Sequence, residues 1–172
     1  RDVTEVTVPI SASLTPTART FKRRSPDRPH MADRVLVPVD RSEHAREARD
    51  LALREFGDAA IVLLHVINPA EAGYSAQASF PSFSEEWFEQ QEAQAEALLA
   101  DLAGPIEAQD GAVERVVEVG RPTRTIVEYA EDHDVDHIVM GSHGREGVSR
   151  ILLGSVAEKV VRRSPVPVTV TR

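Results

Sequence analysis

None of the 172 residues is a cysteine, so disulfides, thiolate metal sites and a cysteine nucleophile are excluded. That absence is compatible with a reducing compartment. Lysine is nearly missing as well: Lys22 and Lys159 stand alone, and arginine supplies the other eighteen positive charges. The net charge is −8, and nucleic-acid binding needs clustered Lys and Arg, which argues against a general nucleic-acid partner. An acidic, lysine-poor composition is compatible with salt adaptation, and equally with a genome that favours arginine codons. No apolar run reaches the roughly 18 residues that span a bilayer, so no membrane partner is expected. Arg23-Arg24 is followed by Ser-Pro-Asp-Arg-Pro-His instead of an apolar stretch. A twin-arginine export signal is therefore rejected, and a cytoplasmic location is expected. Two phosphate signatures are also lacking. G-x-x-x-x-G-K-[ST] does not occur, and no G-x-G-x-x-G follows a strand, so there is neither a P-loop lysine nor a dinucleotide fingerprint.

The length suits one domain with a real core. Residues 1–30 look unlike the rest, with four prolines (Pro9, Pro16, Pro26, Pro29), six basic and three acidic side chains and no sustained periodicity. They are expected to be a disordered or artefactual leader, with Met31 as the natural start of a domain over residues 31–172. From Met31 the pattern alternates regularly. Val35 to Val39 reads as a buried strand, followed by a helix capped by Ser42 that runs to about Phe56. Ile61 to Ile67 is the second strand, and a second helix is expected from about Ser84 to Leu102, stopped by Gly104-Pro105. Val113 to Val119, a helix from Pro122 to about His133, and His137 to Met140 follow. A fourth helix, Gly154 to Arg163, precedes a last strand, Val166 to Thr171. Continuous apolar strands alternating with helices imply an α/β fold, a parallel sheet covered by helices on both faces. Right-handed crossovers place ligand-binding loops at the carboxyl ends of the strands, where Asp40, the 66–70 segment and Gly141 fall.

The most informative stretch is Met140-Gly141-Ser142-His143-Gly144, followed ten residues after Gly144 by Gly154-Ser155. A buried strand breaks into a loop able to approach a ligand closely, and a Gly-Ser pair opens a helix. A helix N-terminus presents unpaired N–H groups and the positive end of the dipole, roughly half an elementary charge, which suits phosphate. The same three glycines are equally consistent with ordinary turn and capping residues.

These residues resemble the universal stress protein family. The likeness is carried by Val35-Leu36-Val37-Pro38-Val39-Asp40 with Ser42, by Met140 to Gly144, and by Leu153-Gly154-Ser155-Val156 before Pro165-Val166-Pro167-Val168. It spans residues 31–172 in order and spacing. The resemblance implies a Rossmann-like, doubly wound five-stranded sheet of order 3-2-1-4-5. It also implies a place in the ATP-binding branch, marked by G-x2-G-x9-G-[ST], here Gly141, Gly144, Gly154 and Ser155. In that reading Pro38 and Val39 line the nucleoside pocket, and Val66 and Met140 pack near the base. Asp40 meets ribose or a phosphate-bound Mg²⁺. Gly141, Ser142, His143, Gly144 and Arg145 form the phosphate loop, and Gly154, Ser155 and Val156 supply amides. It further implies a homodimer paired through Val166–Thr171, an edge strand that would otherwise invite aggregation.

Alternatives remain for several residues. Asp40 beside Ser42 also suits a capping role, and Val66 and Met140 also suit the core. His143 lacks a second ligand at metal spacing and reads as a solvated loop histidine. His133 and His137, among Asp132, Asp134 and Asp136, read as a solvated connector, not a metal cluster. No catalytic base, P-loop lysine or arginine finger is identifiable, so at most slow ATP hydrolysis is expected. The competing functions are an ATP-dependent enzyme of the wider adenine-nucleotide α/β group and a nucleotide-independent dimeric scaffold.

Overall fold

Alternation of side chains along the first strand, Arg34–Pro38 (β1), divides the molecule into two layers. The computed structural model describes residues 32–72, 81–142 and 153–171. After β1 come α1 (Glu43–Glu55), β2 (Ala60–Ile67), a 3₁₀ turn (Pro69–Ala72), α2 (Pro81–Glu107) and β3 (Val113–Val119). Then follow α3 (Pro122–Asp132), β4 (His137–Gly141), α4 (Ser155–Arg163) and β5 (Val168–Thr171). All strand pairings are parallel, in the order β3-β2-β1-β4-β5, so β1 is central and β3 and β5 are the edges.

Odd-numbered residues face one layer. Val35, Val37 and Val39 pack with Ile61 and Leu63 of β2, with Ala45, Ala48 and Ala52 of α1, and with Leu99, Leu102 and Ile106 of α2. Even-numbered Leu36, Val62, Leu64, Ile138 and Met140 face the other, against Ile126 and Tyr129 of α3 and Ala157 and Val160 of α4. Each fully buried large apolar side chain contributes about 1.5–3 kcal/mol. Ion pairs such as Arg124–Glu128 and Arg54–Glu55 lie more than half exposed and contribute about 0–1 kcal/mol each. The two apolar layers therefore hold the fold.

Two expected boundaries are corrected. The second helix does not stop at Gly104-Pro105 but continues through both to Glu107. A proline inside a helix removes one hydrogen bond and costs about 3 kcal/mol. Here Leu102, Ala103 and Ile106 are all buried, and tertiary packing of that last turn outweighs the local cost. Arg49, itself buried, donates from Nη1 to the Leu102 carbonyl at 3.3 Å, tying this part of α2 to α1. The helix finally closes where Asp110 turns left-handed, φ 58°, and Gly111 N–H donates back to the Ile106 carbonyl at 3.0 Å. The last strand begins at Val168 rather than Val166. Ser164 Oγ bonds both the Val166 carbonyl and its N–H (2.7 and 3.2 Å), holding that residue in a turn. Pro167 contributes only its carbonyl, which accepts from Ile138 N–H at 2.9 Å.

The amino ends of the strands are pinned by Asp136, whose Oδ2 accepts from the N–H groups of Asp33 (2.9 Å) and Arg34 (3.1 Å). His137 follows as a partly buried side chain instead of a solvated connector. Its Nε2 lies 2.8 Å from Thr169 Oγ1, and its ring packs on Phe56 with centroids 4.9 Å apart. Burial pushes the His137 pKa below its ordinary 6.5. The folded chain thus takes up this proton less readily than the unfolded one. The associated stability is complete above pH 6.5 and falls as pH drops through the folded pKa. Urea unfolding midpoints between about pH 5 and 8 are expected to decline on the acid side, and His137→Gln is expected to flatten part of that decline. Identical pH profiles for the two proteins would remove His137 from the account.

Candidate functional site

Main-chain hydrogen bonds along a central parallel strand alternate between its two neighbours. Ala60 N–H donates to Asp33 and Asp136 N–H to Arg34, so odd residues of β1 bond β2 and even residues bond β4. The alternation fails at the carboxyl end, on both sides. Toward β4, the next donor in register is the nitrogen of Pro38, which has no hydrogen. The β1–β4 register accordingly covers only Val35↔His137 and Leu36↔Ile138. Toward β2, Val39 N–H makes a last bond to the Leu64 carbonyl at 2.8 Å. The Val39 carbonyl then lies 2.9 Å from the imidazole Nδ1 of His65. The sheet opens around the end of β1, at the point where strand order reverses from β2 to β4, the usual place for a ligand crevice in an open α/β sheet.

Asp40 leaves β1 and turns directly into α1. Its Oδ1 accepts from Ser42 N–H at 3.0 Å and from Ser42 Oγ, while Ser42 Oγ accepts from Ala45 N–H at 3.3 Å. Ser42 is thus the helix cap, as the sequence suggests, and Asp40 orients the cap. The first turn of α1 lies hard against Gly141. A methyl group on that glycine would lie 2.7 Å from His44 Cβ and 3.0 Å from its carbonyl oxygen. Gly141 therefore has a packing reason independent of any ligand.

On the β4 side, Ser142 is buried. Its N–H donates to the Thr171 carbonyl at 2.8 Å, and its own carbonyl accepts from Gly154 N–H at 2.7 Å. That pair of bonds delivers the start of α4 to the carboxyl end of β4. Gly154 is the N-cap residue, at φ −60° and ψ 154°, and among the described residues no side chain caps the helix. The contrast with α1 is chemical: one helix start has its own acceptor, the other presents amides and a positive dipole end.

The structure gathers Pro38, Val39, Asp40, Val66, Met140, Gly141, Ser142, Gly154, Ser155 and Val156 at this end of the sheet. Within that group Met140 is buried in the core, and Val66 and Val156 pack against it part-buried. His143, Gly144 and Arg145 lie outside the described residues. Among the described residues no group of three His, Cys, Asp or Glu side chains is placed to hold a metal. No helix among them is long and apolar enough to cross a membrane. His65 and His44 escape a reading of the motifs. The one available signal for His65 is a polar residue where Ile61 and Leu63 predict an apolar one.

The sequence model of the universal stress protein family matches residues 31–172. Universal stress protein MJ0577 of Methanocaldococcus jannaschii is 32% identical over 157 residues, covering 83% of this chain and 96% of the relative. The solved structure of MJ0577 superposes with a TM-score of 0.73, at 33% identity over the same shares of each chain. Two more distant solved structures share the fold. One is a universal stress protein in complex with cAMP (TM-score 0.61, 23% identity, 83% of this chain and 98% of the other). The other is an Arabidopsis thaliana family protein with AMP bound (TM-score 0.57, 17% identity, 80% and 89%). A family match over the whole domain, on the sheet order 3-2-1-4-5, means that the chain belongs to the universal stress protein family.

Proposed function

We propose that the chain is an ATP-binding member of the family, a cytoplasmic homodimeric module of the stress response that hydrolyses ATP slowly at most. The observation that carries this is the start of α4. Among the described residues its amides have no side-chain cap, and they stand at the end of β4, where the sheet has opened beside Pro38. Such a terminus suits a phosphate chain. The base has a matching edge on β2. Even-numbered β2 residues direct their N–H and carbonyl groups toward β1, and Val66 lies beyond the last β1–β2 bond. One donor beside one acceptor complements N1 and the N6 amino group of adenine. In the same pose guanine brings N1–H and O6, so that donor meets donor. The AMP and cAMP carried by two proteins of this fold support an adenine nucleotide.

Mg²⁺ would reach the site with the phosphates, near Asp40. The mate across a two-fold axis would be a second β5, an edge strand with one open side. One observation favours the scaffold alternative: the missing side chain of Gly141 is accounted for by α1 alone.

Gly154→Asp separates the two readings. The extended backbone at Gly154 accepts any residue, and aspartate there caps α4 while setting a negative charge where phosphate would bind. Calorimetric titration with Mg-ATP is expected to show saturable binding to the native chain and at least about tenfold weaker binding to the variant. The melting temperature should stay level or rise. Equal affinity would sink the phosphate assignment, and no binding to native, nucleotide-free protein would make the scaffold reading primary. Asp40→Asn keeps an acceptor for the Ser42 turn and loses only the charge. It is expected to leave the melting temperature near native and to remove most of the Mg²⁺ dependence of ATP affinity, by roughly the factor of 5–30 that one to two kcal/mol represents. An unchanged Mg²⁺ dependence would return Asp40 to capping alone. Sedimentation equilibrium is expected to give twice the chain mass, and a monomer would end the β5 pairing.

A further inference from the structure

We propose that His65 is a positioning residue for the base: its imidazole closes the β1–β2 ladder one step early and so keeps the main-chain edge of Val66 open. The proposal rests on the adenine-nucleotide reading above. In the register of these strands, the bond after Val39 N–H to Leu64 would run from Val66 N–H to the Val39 carbonyl. That carbonyl instead meets His65 Nδ1 at 2.9 Å. A carbonyl oxygen can only accept, so Nδ1 carries the proton and donates. Among the described residues the Val66 N–H then has no acceptor.

The position of His65 makes an incidental contact a poor explanation. Ile61 and Leu63, four and two residues earlier on the same face of β2, are buried in the layer under α1 and α2. A third apolar residue would satisfy that layer equally well, and a histidine there is the departure from pattern. Its partner is the last carbonyl before Asp40, so one bond decides both where β1 stops and which groups β2 shows beyond it. An apolar residue at 65 would free the Val39 carbonyl to take the Val66 N–H. The ladder would lengthen by one rung, and the donor offered to the base would be consumed by the sheet.

The test compares the full chain with His65→Phe, which keeps a ring without the donor, and His65→Asn, whose amide can donate from the position of Nδ1. Cooperative urea unfolding is checked first, with His65→Leu as a second donor-free variant. In nucleotide-free protein, hydrogen exchange at the Val66 amide is expected to be fast in the native chain and in His65→Asn. In the donor-free variants it should slow by at least about tenfold, as that amide gains a partner. Binding of ATP should weaken about five- to tenfold in the donor-free variants, the worth of one hydrogen bond, with a smaller preference for ATP over GTP. His65→Asn should recover both. Unchanged exchange at Val66, or ATP affinity within about twofold of native, would overturn the role of His65 while leaving the adenine reading standing. A native chain that binds neither nucleotide would sink the adenine reading, and the base-positioning role with it.

Discussion

β1 is flanked on both sides and must divide its main-chain bonds between β2 and β4, and everything at the candidate site depends on its failure to do so beyond Leu36. One failure is chemical, because Pro38 has no N–H to give to β4. The other is a competition, because the Val39 carbonyl is taken by a side chain. Without these two interruptions the strands would zip together to their ends and leave no main-chain group for a ligand. The apolar layers on either face supply the rigidity against which such local gaps can persist.

The two helix starts at this end show how similar sequence signals can diverge in chemistry. Ser42 closes α1 with its own hydroxyl, and Asp40 orders that hydroxyl. Gly154 gives α4 a well-formed first turn, its carbonyl accepting from Glu158 N–H at 2.9 Å, and supplies no acceptor for the remaining amides. A glycine at such a place is therefore less a hinge than an omission: it brings no side-chain acceptor to the first amides, and the nearest acidic residue of α4 is Glu158, at the end of the first turn. Gly141 makes the opposite point. Its bareness is filled by α1, so two glycines of one motif serve different physical ends.

Much of this architecture was legible in the sequence because it depends on local pattern. The apolar runs at Val35, Ile61 and Ile138, the Ser42 cap and the strand–helix alternation follow from side-chain periodicity and turn chemistry. The order of the strands came from family likeness, not from periodicity. Gly104-Pro105 misled because punctuation residues report local preference, whereas Ile106 answers to the core that α2 shares with α1 and the sheet. The bond from His65 to Val39 and the His44–Gly141 contact were not legible, though His65 itself breaks the apolar pattern of β2. Both depend on register, on which residue lies opposite which at sequence separations of 26 and 97, and a single sequence carries no direct record of that.

The bond from Ser142 N–H to the Thr171 carbonyl has a further consequence for how the protein comes into being. Ser142 positions Gly154, and Ser142 is itself secured by the last strand of the chain. During synthesis, the first three strands and three helices can be collected while the ligand-facing end is still loose, since this tie emerges with β5. The tie is late because β5 follows the other four strands in the chain, not because it spans an unusual length of sequence. The maturing chain should therefore acquire its core before its recognition surface, so that a nucleotide meets a formed core rather than templating one.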